Sequence, residues 1–187
     1  MPHVEPTGTS VALSRLCAAT ASLHRDLESR FNAVVALSDP HRRVQVITRY
    51  ERLYRQSYVA LRPLLADIDD LDFERRGRIW QPLAAREDAG EFPALTDRYA
   101  ALGMLYVIEG STLGGRIIQR ELLKRGVSDP AIGFLDPYGN AAGSLWRGLI
   151  TVIERETAGD SGRLDALCEG AVAGFRFADK MLCGELV

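Results

Sequence analysis

The sequence predicts an all-α protein, a single domain of about six or seven helices. Apolar residues recur at spacings of three and four through successive segments, which places them on one face of a helix. No segment sustains the alternation of a half-buried strand, and no internal repeat is visible. Breakers such as Ser38-Asp39-Pro40 and Gly126 stand where the apolar runs end.

Met1–Gly8, with two prolines and a glycine, reads as a flexible leader (residues 1–8) ahead of a helical domain over 9–187. Val11, Leu16, Ala19, Leu23 and Leu27 then follow helical spacing, with Thr9 or Ser10 as N-cap. A short helix over Ser29–Leu37 stops at Pro40. His41–Ile68 carries Val44, Ile47, Tyr50, Leu53, Tyr54, Tyr58, Leu61 and Leu65, a long amphipathic helix with Pro63 late in it. Another helix spans Phe73–Ala85, followed by a polar turn over Glu87–Glu91. The central helix runs from about Pro93 to Arg125, with Gly126 in C-cap position. After a loop over Val127–Asn140, helices near Ala141–Thr157 and Ser161–Glu185 close the chain.

With 187 residues, 47% of them hydrophobic and 26% charged, the chain can bury a proper core. A net charge of −2 argues against a general nucleic-acid binder. The opening MPHVEPTGTS lacks the basic and apolar regions of a signal peptide, and the longest apolar run, Ala100–Ile108, is too short for a membrane span. Cys17, Cys168 and Cys183 form no CxxC pair. Cys168 and Cys183 share one helix, about 22 Å apart at 1.5 Å per residue, too far for a disulfide. A reduced, cytoplasmic setting follows.

Two features point to chemistry. In Leu105–Glu121, LYVIEGSTLGGRIIQRE, Gly110, Gly114 and Gly115 sit inside a helical run. Each costs about 1 kcal/mol relative to alanine, roughly 3 kcal/mol together. A phosphate loop needs GxxxxGK[ST] after a strand, and neither is present. The cluster then reads as close helix packing, as a kink assisted by Ser111 and Thr112, or as backbone laid open to a flat ligand. The second feature is His24 with Glu28 one turn on, a carboxylate placed to accept the Nδ1 proton and leave Nε2 free as a ligand. A lone histidine near an acid is also an ordinary surface pair. One histidine cannot build a zinc site, but it suits an iron whose other ligands come from a porphyrin.

Leu23–Glu28 (LHRDLE), Tyr106–Gly115 (YVIEGSTLGG) and Asp136–Trp146 (DPYGNAAGSLW) make the chain resemble the haem oxygenase family. Its bacterial, biliverdin-producing members are the most similar, including the bacteriophytochrome-associated branch. The resemblance runs from about Leu13 to Leu182. It implies a haem-oxygenase-like helical bundle with a glycine-kinked central distal helix. The implied activity is oxidative cleavage of haem, both cofactor and substrate, to biliverdin, CO and ferrous iron with O2 and external electrons. Carried over by position, His24 is the iron ligand and Glu28 its hydrogen-bond partner. Gly110 and Gly114 are the distal glycines, Gly115 completes the turn, and Ser111 orders distal water. Gly110, Ser111 and Gly114 thus form the catalytic face. Tyr106 matches a residue that bonds a haem propionate, and Phe177 an aromatic at the haem edge.

One departure stands out. The family usually has a basic residue seven positions before the proximal histidine, where this chain has Cys17; three before stands Ala21. Arg15, Arg176 or Lys180 are the available substitutes. The implied partners are haem, O2, an electron donor such as a ferredoxin, flavodoxin or reductase, and a bacteriophytochrome as biliverdin acceptor, with no nucleic acid and no membrane. The competing readings are a non-catalytic haem-binding protein of the same fold, and a thiaminase-like hydrolase, which needs an activated cysteine near carboxylates.

Overall fold

A computed structural model describes residues 10–78, 92–95 and 97–184, and every regular element among them is helical. The expected leader, the continuation of a helix from Arg78 to Ala85 and the Glu87–Glu91 turn lie outside the described residues. Seven α-helices follow in order: α1 (Val11–Arg30), α2 (Ala33–Ser38), α3 (Pro40–Leu65), α4 (Phe73–Arg78), α5 (Arg98–Lys124), α6 (Ala142–Thr157) and α7 (Ser161–Cys183). Short 3-10 turns at Pro130–Leu135 and Gly139–Ala141 occupy the loop between α5 and α6. No helix among the described residues is long and apolar enough to cross a membrane.

Local chemistry sets the helix ends. Ser10 accepts from the Leu13 amide at the start of α1, and Asp39 from the His41 amide at the start of α3, with Pro40 in the first turn. Asp97 accepts from the Tyr99 and Ala100 amides at 2.8 and 2.9 Å. That cap starts α5 at Arg98, five residues later than the apolar spacing alone suggests. The helix stops where Gly126 turns left-handed (φ 80°) and the Val127 amide reaches back to the Leu122 carbonyl at 3.0 Å, a Schellman closure.

The core lies around α5. Leu102, Met104, Leu149, Ile153 and Leu167 fill one half with less than 2% exposure, and Leu37, Leu53, Leu122 and Phe177 fill the other. Each such side chain contributes about 1.5–3 kcal/mol by burial. Helices α5 and α7 touch backbone to backbone. A Cβ on Gly103 would strike the Leu167 carbonyl oxygen, and one on Gly170 the Ala100 carbonyl oxygen. Small residues at those two sites let α5 sit deep in the bundle. One stretch of its length is thereby left facing α1 across a groove.

Candidate functional site

The groove has a volume of about 340 Å³. One wall is α1, through His24, Leu27, Glu28 and Phe31. The opposite wall is α5, through Tyr106, Val107, Gly110, Ser111 and Gly114. Leu53 and Tyr50 of α3, Trp146 of α6, and Phe175, Ala178 and Leu182 of α7 close the sides. The lining is mostly apolar, as in sites for large flat ligands.

The three glycines of the cluster do different jobs. At Gly114 a Cβ would meet nothing within 4 Å, and at Gly110 only the Trp146 ring, at 3.6 Å. Both leave bare helix backbone against the open groove. Gly115 faces elsewhere: a Cβ there would run into the Leu135 carbonyl, so this glycine seats α5 against the 3-10 turn. α5 stays α-helical through all three positions, and none of them has positive φ. Ser111 and Thr112 do return hydrogen bonds to carbonyls three residues back, at Ile108 (2.6 Å) and Glu109 (2.7 Å). Ser111 also lies 2.7 Å from the Tyr54 hydroxyl. Because Ser111 spends its one proton on Ile108, Tyr54 is the donor in that pair. In this arrangement Ser111 offers the groove a lone pair and no proton. Burial raises the Tyr54 phenol above its ordinary range, which keeps it protonated.

Behind this wall sits a buried network. Arg76 of α4 donates from Nη1 to Glu109 at 2.7 Å, from Nε to the Leu71 carbonyl at 2.8 Å, and from Nη2 to the Leu145 carbonyl at 2.7 Å. The Tyr138 hydroxyl donates to the other Glu109 oxygen at 2.8 Å. Burial pushes the Glu109 carboxyl up, while Arg76 and Tyr138 pull it back. The network ties the turn of α5 just before Gly110 to three other parts of the chain.

On the facing wall, His24 is exposed. Its Nδ1 is 3.4 Å from Glu28 Oε2, long for a hydrogen bond, and its ring meets Phe175 edge-on with centroids 5.6 Å apart. The pairing directs Nδ1 outward along α1 and leaves Nε2 without a protein partner among the described residues. Tyr106 stands at the groove's end. Its ring tilts against Trp146 at 5.3 Å, its hydroxyl lies 3.7 Å from Cys17 Sγ, and burial raises its phenol above the ordinary range.

Of the residues expected at the site, His24, Glu28, Tyr106, Gly110, Ser111 and Gly114 all line the groove. Gly115 and Phe177 do not. Phe177 is turned into the core, 3% exposed, against Phe92. The groove aromatic is Phe175, because two residues along a helix is about 200° around it. Sequence reasoning also missed Trp146, Tyr54 and the Arg76–Glu109–Tyr138 network. The Asp136–Trp146 motif was the available signal: it supplies Tyr138, the Leu145 carbonyl and Trp146. Arg15, a candidate propionate partner, is bound to Asp165 instead. Burial raises the Cys168 and Cys183 thiols, the wrong direction for a nucleophile, and neither lines the groove.

The fold and site thus define a class, an all-helical protein with a slot-shaped apolar site between an imidazole-bearing helix and a bare helix backbone. The family follows from similarity. Over 150 residues the chain is 32% identical to a heme oxygenase of Xanthomonas campestris pv. campestris (strain 8004), covering 75% of this chain and 88% of the relative. The chain belongs to the haem oxygenase family. No protein-family model matches it, and no solved structure does.

Proposed function

We propose that the chain is an active haem oxygenase that opens haem oxidatively to biliverdin, releasing CO and ferrous iron. The observation that carries this reading is the opposition of His24 to Gly110 and Gly114 across one apolar groove. The residues suit haem on two counts. A flat macrocycle needs a wall without side chains, and a methyl at Gly114 would stand in the groove with no protein to rest on. An iron ligand needs an imidazole nitrogen with no other partner, as at Nε2 of His24.

Bound haem would supply the redox-active iron for O2 chemistry, and a ferredoxin, flavodoxin or reductase would be the source of electrons. His24 would hold the iron through Nε2, and Glu28 would fix the tautomer by accepting a hydrogen bond from Nδ1–H. Phe175 limits the rotation of the ring. On the other side, Gly110 and Gly114 let the substrate lie against helix backbone, and Ser111 orders a water molecule as its acceptor. Leu53, Val107, Phe175 and Trp146 exclude bulk water from the macrocycle faces. The reading includes a cytoplasmic location, and biliverdin passing to a bacteriophytochrome is one destination for the product.

Titration with haemin, followed by reductant and O2, tests this. The parent protein should give a histidine-ligated Soret band and turn over. His24→Ala should lose that spectrum and most turnover, with partial recovery on added imidazole. A parent-like spectrum and rate in His24→Ala would remove it as the ligand. A normal spectrum without turnover in the parent protein would make this a haem-binding member that has lost catalysis.

A further inference from the structure

We propose that residues 135–138, in the loop between α5 and α6, form a splint along the back of α5, and that Tyr138 and Asp136 thereby position the bare helix wall at residues 110–114. Its use in haem chemistry rests on the reading above. The loop is fastened to α5 on both sides of that stretch. On one side, the Tyr138 hydroxyl donates to Glu109 Oε1 at 2.8 Å, one residue before Gly110. On the other, the Leu135 carbonyl lies so close to Gly115 that a Cβ there would collide with it, and Asp136 Oδ2 lies 3.2 Å from Arg116 Nε. Ile132 and Leu135 are buried in the same apolar cluster as Ile108 and Leu122, which seats the loop against α5.

The stretch so held is a poor helix on its own. Glycine is the weakest helix former after proline. Ser111 and Thr112 hydrogen-bond to carbonyls three residues back, which competes with the helix ladder and favours a bend. On the groove side nothing opposes a bend at Gly114, where a Cβ would meet nothing within 4 Å. The helix is nevertheless α-helical throughout. Glu109, Thr112 and Arg116 are three and four residues apart and share one face, turned away from Gly110 and Gly114. Bracing from that face keeps the helix straight without placing a side chain in the groove.

The local sequence Asp136-Pro137-Tyr138-Gly139 suits the task. Pro137 fixes its own φ, and Gly139 takes a left-handed φ of 51°, which turns the chain towards α6 just after Tyr138. Burial and the neighbouring Glu109 raise the Tyr138 phenol above its ordinary range, so it stays protonated and remains the donor. Glu109 is itself held through its other oxygen by Arg76 at 2.7 Å, which anchors this fastening in the core. Losing the Tyr138 hydroxyl therefore leaves Glu109 paired, and the fastening can be cut without stranding a buried charge.

Amide hydrogen exchange of the full-length apo-protein tests the splint with no ligand present. In the Tyr138→Phe/Asp136→Asn double variant the amides of residues 111–115 should exchange about tenfold faster than in the parent, as for the loss of roughly one hydrogen bond. Those of residues 102–106, earlier in the same helix, should keep parent rates. Asp160→Ala, which removes the cap of α7, is the control for a general loss of stability and should leave the ratio of the two sets unchanged. With haemin bound, the double variant should keep the parent's affinity and iron–histidine stretching frequency, yet break haem down several-fold more slowly. Parent-like exchange at residues 111–115, or a rise shared equally by residues 102–106, overturns the proposal. A selective rise with parent-like haem breakdown overturns it too, since the loop would then serve the helix alone. If the parent takes up no haemin, the proposed function fails, and the exchange measurement still decides whether the splint exists.

Discussion

The wall of the groove that carries His24 is thinly tied, with the imidazole side chain 57% exposed and its Glu28 partner 69% exposed. The wall that carries Gly110, Ser111 and Gly114 is backed by the Arg76–Glu109 pair, whose side chains are 3% and 4% exposed. An exposed ion pair is worth about 0–1 kcal/mol, whereas breaking a buried one costs about 3–5 kcal/mol. The α5 wall is therefore braced from within the fold, whereas the α1 wall presents its imidazole with little support. Under the proposed function that division has a use: haem would bring a strong bond of its own to His24, while the opposite face keeps a fixed shape. It also separates two kinds of mutational effect, one on folding and one on chemistry.

The largest expected effect lies behind the α5 wall. Arg76→Ala strands the Glu109 carboxylate and opens the Leu71 and Leu145 carbonyls, and should destabilise the apo-protein by about 3–5 kcal/mol. Denaturant melts of the apo-protein measure this. The pair Arg76→Met with Glu109→Leu removes both charges and should recover part of the loss. A loss below about 1 kcal/mol for Arg76→Ala would mean that the α5 wall is held no more firmly than the α1 wall.

Gly115→Ala and Gly114→Ala sharpen the contrast at two consecutive residues of α5. The first drives a methyl into the Leu135 carbonyl and should cost about 1–3 kcal/mol of apo stability. The second meets open space and should raise apo stability by about 0.4–1 kcal/mol while abolishing most haem breakdown. Melting and single-turnover haem cleavage on the same samples decide the matter. If Gly114→Ala lowers stability and activity in proportion, both glycines serve packing.

The smallest effect on stability belongs to the α1 wall. Glu28→Gln should change apo stability by no more than about 0.5 kcal/mol, since the pair is exposed. It should still lower the iron–histidine stretching frequency and the turnover rate by weakening the acceptor for the Nδ1 proton. An unchanged frequency would leave Glu28 as a surface acid with no part in the site.

Much of this molecule was legible in its sequence, because the interactions concerned are local. Helical periodicity, the Ser10 cap, the break at Ser38-Asp39-Pro40 and the Gly126 stop depend on residues within five of one another, and so does the placing of Glu28 beside His24. Even the exception is local: Asp97 caps α5 through amides two and three residues on, and an apolar count cannot see a cap. The sequence by itself thus determined an all-α chain with one imidazole presented on its first helix and a glycine-rich stretch on its central one. Only the tertiary structure decided which glycines open the groove and which seat a helix, because Gly115 is claimed by Leu135, twenty residues later. It turned Phe175 to the groove and Phe177 to the core, and it joined Arg76 to Glu109 across 33 residues. It also gathered Arg30, Arg42 and Arg49 from two helices around the end of a third. The reason is physical: the helix period fixes which residues share a face, but which face meets which is settled by how whole helices pack against one another.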